Sequence, residues 1–224
     1  MNVNNRVVAL VYRFSALVLG VWALVYDFGV FDGEFRKVNL LYFTILSNLL
    51  CMVLFLVLVV RTLIDIRRDG VFGVSSVSPH FKGGVMVSII LTMTVYHFIL
   101  IPYALKIDPY QHLKFTDVVF HYVIPFLTVF DWVLFDVKRS FSWYDPFLWM
   151  IFPYVYAAFV FFQSRFDIAD RISSHINRYV YVFLDVGLLG GARVVFNVVS
   201  LSLAFVVLGF GVVLVDRVKV GGKV

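Results

Sequence analysis

Apolar residues along this chain fall into six long runs separated by short polar stretches. The runs cover residues 7–26, 40–60 and 84–105, a fourth stretch that follows Lys114 and carries Asp117 to Trp132, then residues 146–164 and 192–215. Each holds roughly 20 residues, enough for a helix rising about 1.5 Å per residue to cross a hydrocarbon core of about 30 Å. Barrel strands would instead show short segments of two-residue alternation. The pattern therefore predicts an all-α, polytopic helical membrane protein, with six transmembrane helices in a single domain over residues 1–224. No small-x-small cleavage motif follows the first run, so it reads as a retained helix and not a removed signal. The longest connection, residues 165–191, is aromatic-rich, and such segments can fold back over a bundle mouth.

Composition sharpens this picture. With 62% hydrophobic and 15% charged residues and a mean hydropathy of +0.93, an ordinary soluble domain is excluded. The net charge of +5 comes from basic residues between the runs, which reads as topology and contact with anionic lipid, and not as nucleic-acid binding. The connections on the side of the termini carry more lysine and arginine than those opposite, with the residues 61–83 connection (Arg61, Arg67, Arg68, Lys82) the most basic. Both termini are therefore expected in the cytoplasm. The single cysteine, Cys51, lies inside a run and allows neither an internal disulfide nor a cysteine metal set.

Candidate chemistry lies where polar side chains interrupt the runs. Ionisable groups within a span are costly and by default carry a task. His121 is the first of these, and Asp117 stands one turn before it at the i,i+4 spacing that lets a carboxylate reach an imidazole. Pro125 removes a backbone donor and frees the carbonyl of His121. In the second run Thr44, Ser47 and Asn48 share one helical face; hydrogen bonding to their own or a neighbouring helix is the structural alternative for them. The second and fourth runs both begin on the side opposite the termini, which puts Thr44 and His121 at one depth, roughly 6 to 9 Å in. His97 reads first as a structural hydrogen-bonder. Arg13 either snorkels to the nearer interface or pairs with an acid inside the bundle. No third ligand has helical spacing to His97 or His121, so neither a metal nor another cofactor is expected.

Four blocks carry a resemblance to a known family. They are Tyr42-Phe43-Thr44-Ile45-Leu46-Ser47-Asn48-Leu49; His121-Tyr122-Val123-Ile124-Pro125-Phe126 with Asp131-Trp132 and Pro153-Tyr154; Tyr181-Val182-Phe183-Leu184-Asp185; and Gly191-Ala192-Arg193. In order and spacing they resemble the androgen-induced-gene family of multispan membrane proteins, in particular its bacterial branch, over about two thirds of the chain. Animal members are intramembrane hydrolases of fatty acid esters of hydroxy fatty acids that use a threonine and a histidine. The resemblance implies Thr44 as nucleophile and His121 as general base, in a bacterial plasma membrane. Membrane lipids would be both environment and substrate. Where animal members carry an acid after the threonine, this chain has Ser47-Asn48. Ser47, Asn48, Asp117, His97, Tyr181 and Asp185 are the candidates for substrate or oxyanion support. The hydrolase reading requires the Thr44 hydroxyl and a His121 ring nitrogen to face one cavity within about 4 Å. The competing reading is a non-enzymatic membrane protein, a small carrier or lipid-binding subunit, with Arg13, His97, His121 and Asp131 along a polar path.

Overall fold

Six helices long and apolar enough to span a membrane occur among the described residues, and no strand does. The computed structural model describes residues 3–107, 113–166, 168 and 179–218. The helices are α1 (Arg6–Asp27), α2 (Phe43–Asp69), α3 (Pro79–Ile107), α4 (Phe115–Phe135), α5 (Asp145–Arg165) and α6 (Gly191–Arg217). Arg171 and Arg178 of the 165–191 connection and Lys219 and Lys223 after the last run lie outside the described residues, as does much of that connection.

Helices α1 to α4 form a ring in which each packs on the next and α4 returns to α1, while α5 and α6 lean on α3. Small residues let the ring close. Ala9, Ala16, Gly20 and Ala23 fall on one face of α1 and are buried against α2 and α4, the close backbone approach that membrane helices use in place of a hydrophobic drive. Cys51, Leu54, Phe55 and Leu58 of α2 and Val119, Phe120 and Ile124 of α4 fill the interior of the ring. A second core joins α3, the end of α4, α5 and α6 around Met86, Trp132, Trp149 and Phe205. Only 17% of the apolar window of α6 is buried, so its outer face is left for lipid.

One expectation is corrected and one pair of alternatives is decided. The basic connection is short: α2 runs on to Asp69, its last turn carries Arg67 and Arg68, and Gly70 closes it at φ +82°. Pro79 then opens α3, where its missing N–H costs nothing. Lys82 therefore sits inside the bundle and not in a loop. Arg13 does not snorkel, since its side chain is fully buried. It donates from Nε to Asp131 at 2.7 Å and from Nη1 to the Thr62 hydroxyl and the Ser75 carbonyl. Lys82 donates to the same Asp131 and lies 2.8 Å from Asp136, which also accepts from Ser76. In a hydrocarbon interior four complementary charges with every strong donor engaged are cheaper together than any of them alone.

Candidate functional site

The site is built where two helices loosen at matching positions. Pro125 cannot donate to the carbonyl of His121, and the N–H of Ile124 reaches back five residues to Val119, which makes residues Val119–Val123 a wide turn. Helix α3 repeats the device: Pro102 follows Ile101, whose N–H reaches back to Tyr96 across the wide turn Tyr96–Leu100. The two bulges face each other, and the Tyr96 ring stacks on the His121 imidazole with centroids 3.5 Å apart and planes 10° apart. His121 is thereby sandwiched at 5% exposure.

The imidazole is held by a backbone carbonyl. Its Nδ1 lies 2.8 Å from the Asp117 carbonyl oxygen, which can only accept, so Nδ1 carries the proton and Nε2 keeps its lone pair. That Nε2 lies 3.3 Å from Oγ1 of Thr44, an arrangement in which the hydroxyl donates. Thr44 stands in the first turn of α2, which begins at Phe43 after the extended Tyr42. Both side chains line a cleft of about 650 Å³ with Tyr42, Tyr96 and Tyr181, and Asp27, Arg36, Asn39, Lys114 and Asp117 complete its polar lining. Tyr181 precedes the short turn Val182–Leu184. Its phenol lies close to the Thr44 hydroxyl and to the Phe43 and Thr44 backbone, and burial pushes its pKa up to about 12.

The other candidates take other roles. The Asp117 carboxylate, expected on His121, accepts instead from the N–H of Lys114 at 3.0 Å, because the start of α4 offers it unsatisfied backbone donors. Ser47 turns away from the cleft to the Thr92 hydroxyl and the Thr44 carbonyl. Asn48 gives both amide protons to carbonyls, those of Thr44 and Phe120. It cross-links α2 to α4 and has no donor left for an oxyanion. His97 is exposed on the outer face of α3 and pairs with the Tyr122 hydroxyl at 2.9 Å, and Asp185 caps the short helix Val186–Leu189. Neither reaches the cleft.

Tyr96 is the group that sequence reasoning missed. The signal was the second Ile-Pro pair, Ile101-Pro102, which mirrors Ile124-Pro125 and marks both wide turns. Among the described residues no cluster of three or more His, Cys, Asp or Glu side chains is suited to a metal. No family model, curated protein or solved structure matches the chain.

Proposed function

We propose that this protein is an intramembrane lipid-ester hydrolase in which Thr44 is the nucleophile and His121 the general base. The observation that carries this reading is the 3.3 Å approach of Thr44 Oγ1 to an imidazole nitrogen whose ring partner is fixed by a carbonyl. A threonine hydroxyl is a poor nucleophile until a base takes its proton, and a neutral imidazole oriented by a third group is suited to do so. Thr44 Oγ1 attacks the ester carbonyl carbon as its proton passes to Nε2. The imidazolium then returns that proton to the departing alkoxide, leaving an acyl-threonine that water cleaves by the same steps in reverse order.

The developing oxyanion needs donors. A phenol is protonated at neutral pH and so can donate, and the first N–H groups of α2 lie beside that of Tyr181, where a helix leaves them without intrahelical partners. A substrate with apolar chains suits a site that opens both to a polar cleft and to an apolar groove. The resemblance to the androgen-induced-gene family supports the same pair of residues, and we propose that the chain belongs to its bacterial branch. In that reading it lies in a bacterial plasma membrane with both termini cytoplasmic and membrane lipids as substrates.

The test is turnover of fluorogenic fatty acyl esters by the purified protein, beside Thr44→Ala and His121→Ala. Loss of turnover in both, with a fluorophosphonate adduct mapped to Thr44 in the parent only, is the expected result. Equal turnover or equal labelling in both variants overturns the reading and favours a lipid-binding protein without chemistry.

A further inference from the structure

A second compartment meets the same threonine. Helix α5 packs on α6 through its first turns, where Pro146 lies so close to Gly209 that a Cβ there would have no room, and then departs from it over Ile151–Arg165. The gap leaves a groove between α3, α5 and α6 whose lining is almost entirely apolar. Leu91, Met150 and Phe205 close one end of it, and Thr44 and Tyr181 stand at the other, where they also line the polar cleft.

We propose that this groove is an acyl-chain site. It takes one straight hydrocarbon chain with the carboxyl or ester carbon at Thr44 and the terminal methyl against Met150 and Phe205. The proposal rests on the hydrolase reading for the position of the reacting carbon, and on the groove itself for the chain. Along α6 the lining runs from Val198 to Phe205 and along α3 from Leu91 to Leu100. At about 1.5 Å per residue this is roughly 10 to 13 Å, the length of an extended chain of roughly eight to ten carbons. A longer chain meets Phe205, which is fully buried. A general lipid-facing crevice would not share its end with the threonine and the tyrosine that also line the polar cleft.

The experiment uses full-length protein in phosphatidylcholine nanodiscs, both the parent chain and Thr44→Ala. Octanoic, decanoic and palmitic acids carrying a terminal diazirine are photolysed and the adducts mapped by mass spectrometry. Decanoic acid is expected to label Met150, Leu91 or Phe205 about tenfold more than palmitic acid does, since a hydrophobic pocket discriminates chain length on this scale. Ser202→Trp from α6 and Ala157→Phe from α5 each fill the middle of the groove and are expected to remove that labelling. Labelling of Phe14 and Val18 on the outer face of α1 should stay unchanged.

Equal labelling by all three acids, insensitive to both substitutions and no stronger than at Phe14, means bilayer lipid only and overturns the proposal. If either variant fails to fold, the chain-length comparison in the parent decides alone. Selective labelling without ester turnover by the parent overturns the hydrolase reading and leaves the groove as a fatty-acid site. Turnover without selective labelling overturns the groove alone.

Discussion

Two of the polar regions in this apolar bundle differ in how their groups are engaged. On the side of the termini, Arg13, Lys82, Asp131 and Asp136 form a set of two cations and two anions joined by short contacts, with the Thr62 hydroxyl accepting from Arg13 and the Ser76 hydroxyl donating to Asp136. On the far side, Thr44, Tyr96, His121 and Tyr181 carry no formal charge in the tautomer described, and they line an open cleft. Both regions satisfy the expectation that ionisable groups inside a membrane have a task, but the tasks differ. The charged set spends its bonding capacity on itself and lines neither compartment at Thr44; it clamps α1, α3 and α4 together with the end of α2. In the cleft one lone pair, that of His121 Nε2, is held against one hydroxyl with space beside it. Access, and not charge, separates the site from the clamp.

The largest expected effect breaks the comparison at its chemical end. Thr44→Ala and His121→Ala should each lower ester turnover by about 10³-fold or more, because in the proposed mechanism nucleophile and base act as a unit. The melting temperature in detergent should barely move for Thr44→Ala, and for His121→Ala should fall by less than for loss of a clamp residue, since only an imidazole is removed from its stack on Tyr96. A variant that loses turnover together with its fold would move these residues into the clamp's class. At the other end the pattern should invert. Asp131→Ala leaves Arg13 and Lys82 buried without their shared acid, which costs roughly 3 to 5 kcal/mol, read as a fall in melting temperature and in the yield of folded protein. The double change Arg13→Met with Asp131→Leu, which leaves Lys82 to Asp136, should recover much of that loss. If Asp131→Ala folds normally yet loses turnover, the clamp is part of the mechanism after all.

A smaller effect sharpens the site itself. Tyr181→Phe removes one donor from the developing oxyanion but leaves the ring packed against Tyr42 and Tyr156. Turnover should fall about 10²-fold with little change in KM, as loss of a single such donor does elsewhere. A rise in KM at unchanged kcat would assign the phenol to substrate binding instead.

The helices were legible because span length is set by the bilayer, and a run of about 20 apolar residues announces itself without any tertiary information. The depth of the site was legible for a related reason: α2 and α4 start from one side, so Thr44 and His121 had to lie near one level. Which way side chains turn within a helix face was not. Thr44, Ser47 and Asn48 share a face, yet only Thr44 reaches the cleft, while Ser47 meets Thr92 on α3 and Asn48 meets Phe120 on α4. Such choices depend on the neighbours that close the ring, and these are set by packing. The pairing of Arg13 with Asp131 spans 118 positions, and no local spacing encodes it.

The smallest expected effect tests what orients the base. In familiar triads a carboxylate holds the histidine, and its replacement by an amide lowers kcat by about 10⁴-fold by favouring the wrong tautomer. Here the backbone carbonyl of Asp117 lies on Nδ1 at 2.8 Å, and the side chain is occupied with the N–H of Lys114. Asparagine accepts such a bond nearly as well as aspartate at a helix start. Asp117→Asn should therefore change turnover by about twofold or less and leave the pH profile of kcat in place. A loss of several orders of magnitude would mean that the carboxylate swings onto the imidazole during the reaction. Because a carbonyl cannot take up a proton, the observed arrangement fixes the tautomer of His121 without offering the proton anywhere to go except back to the leaving group.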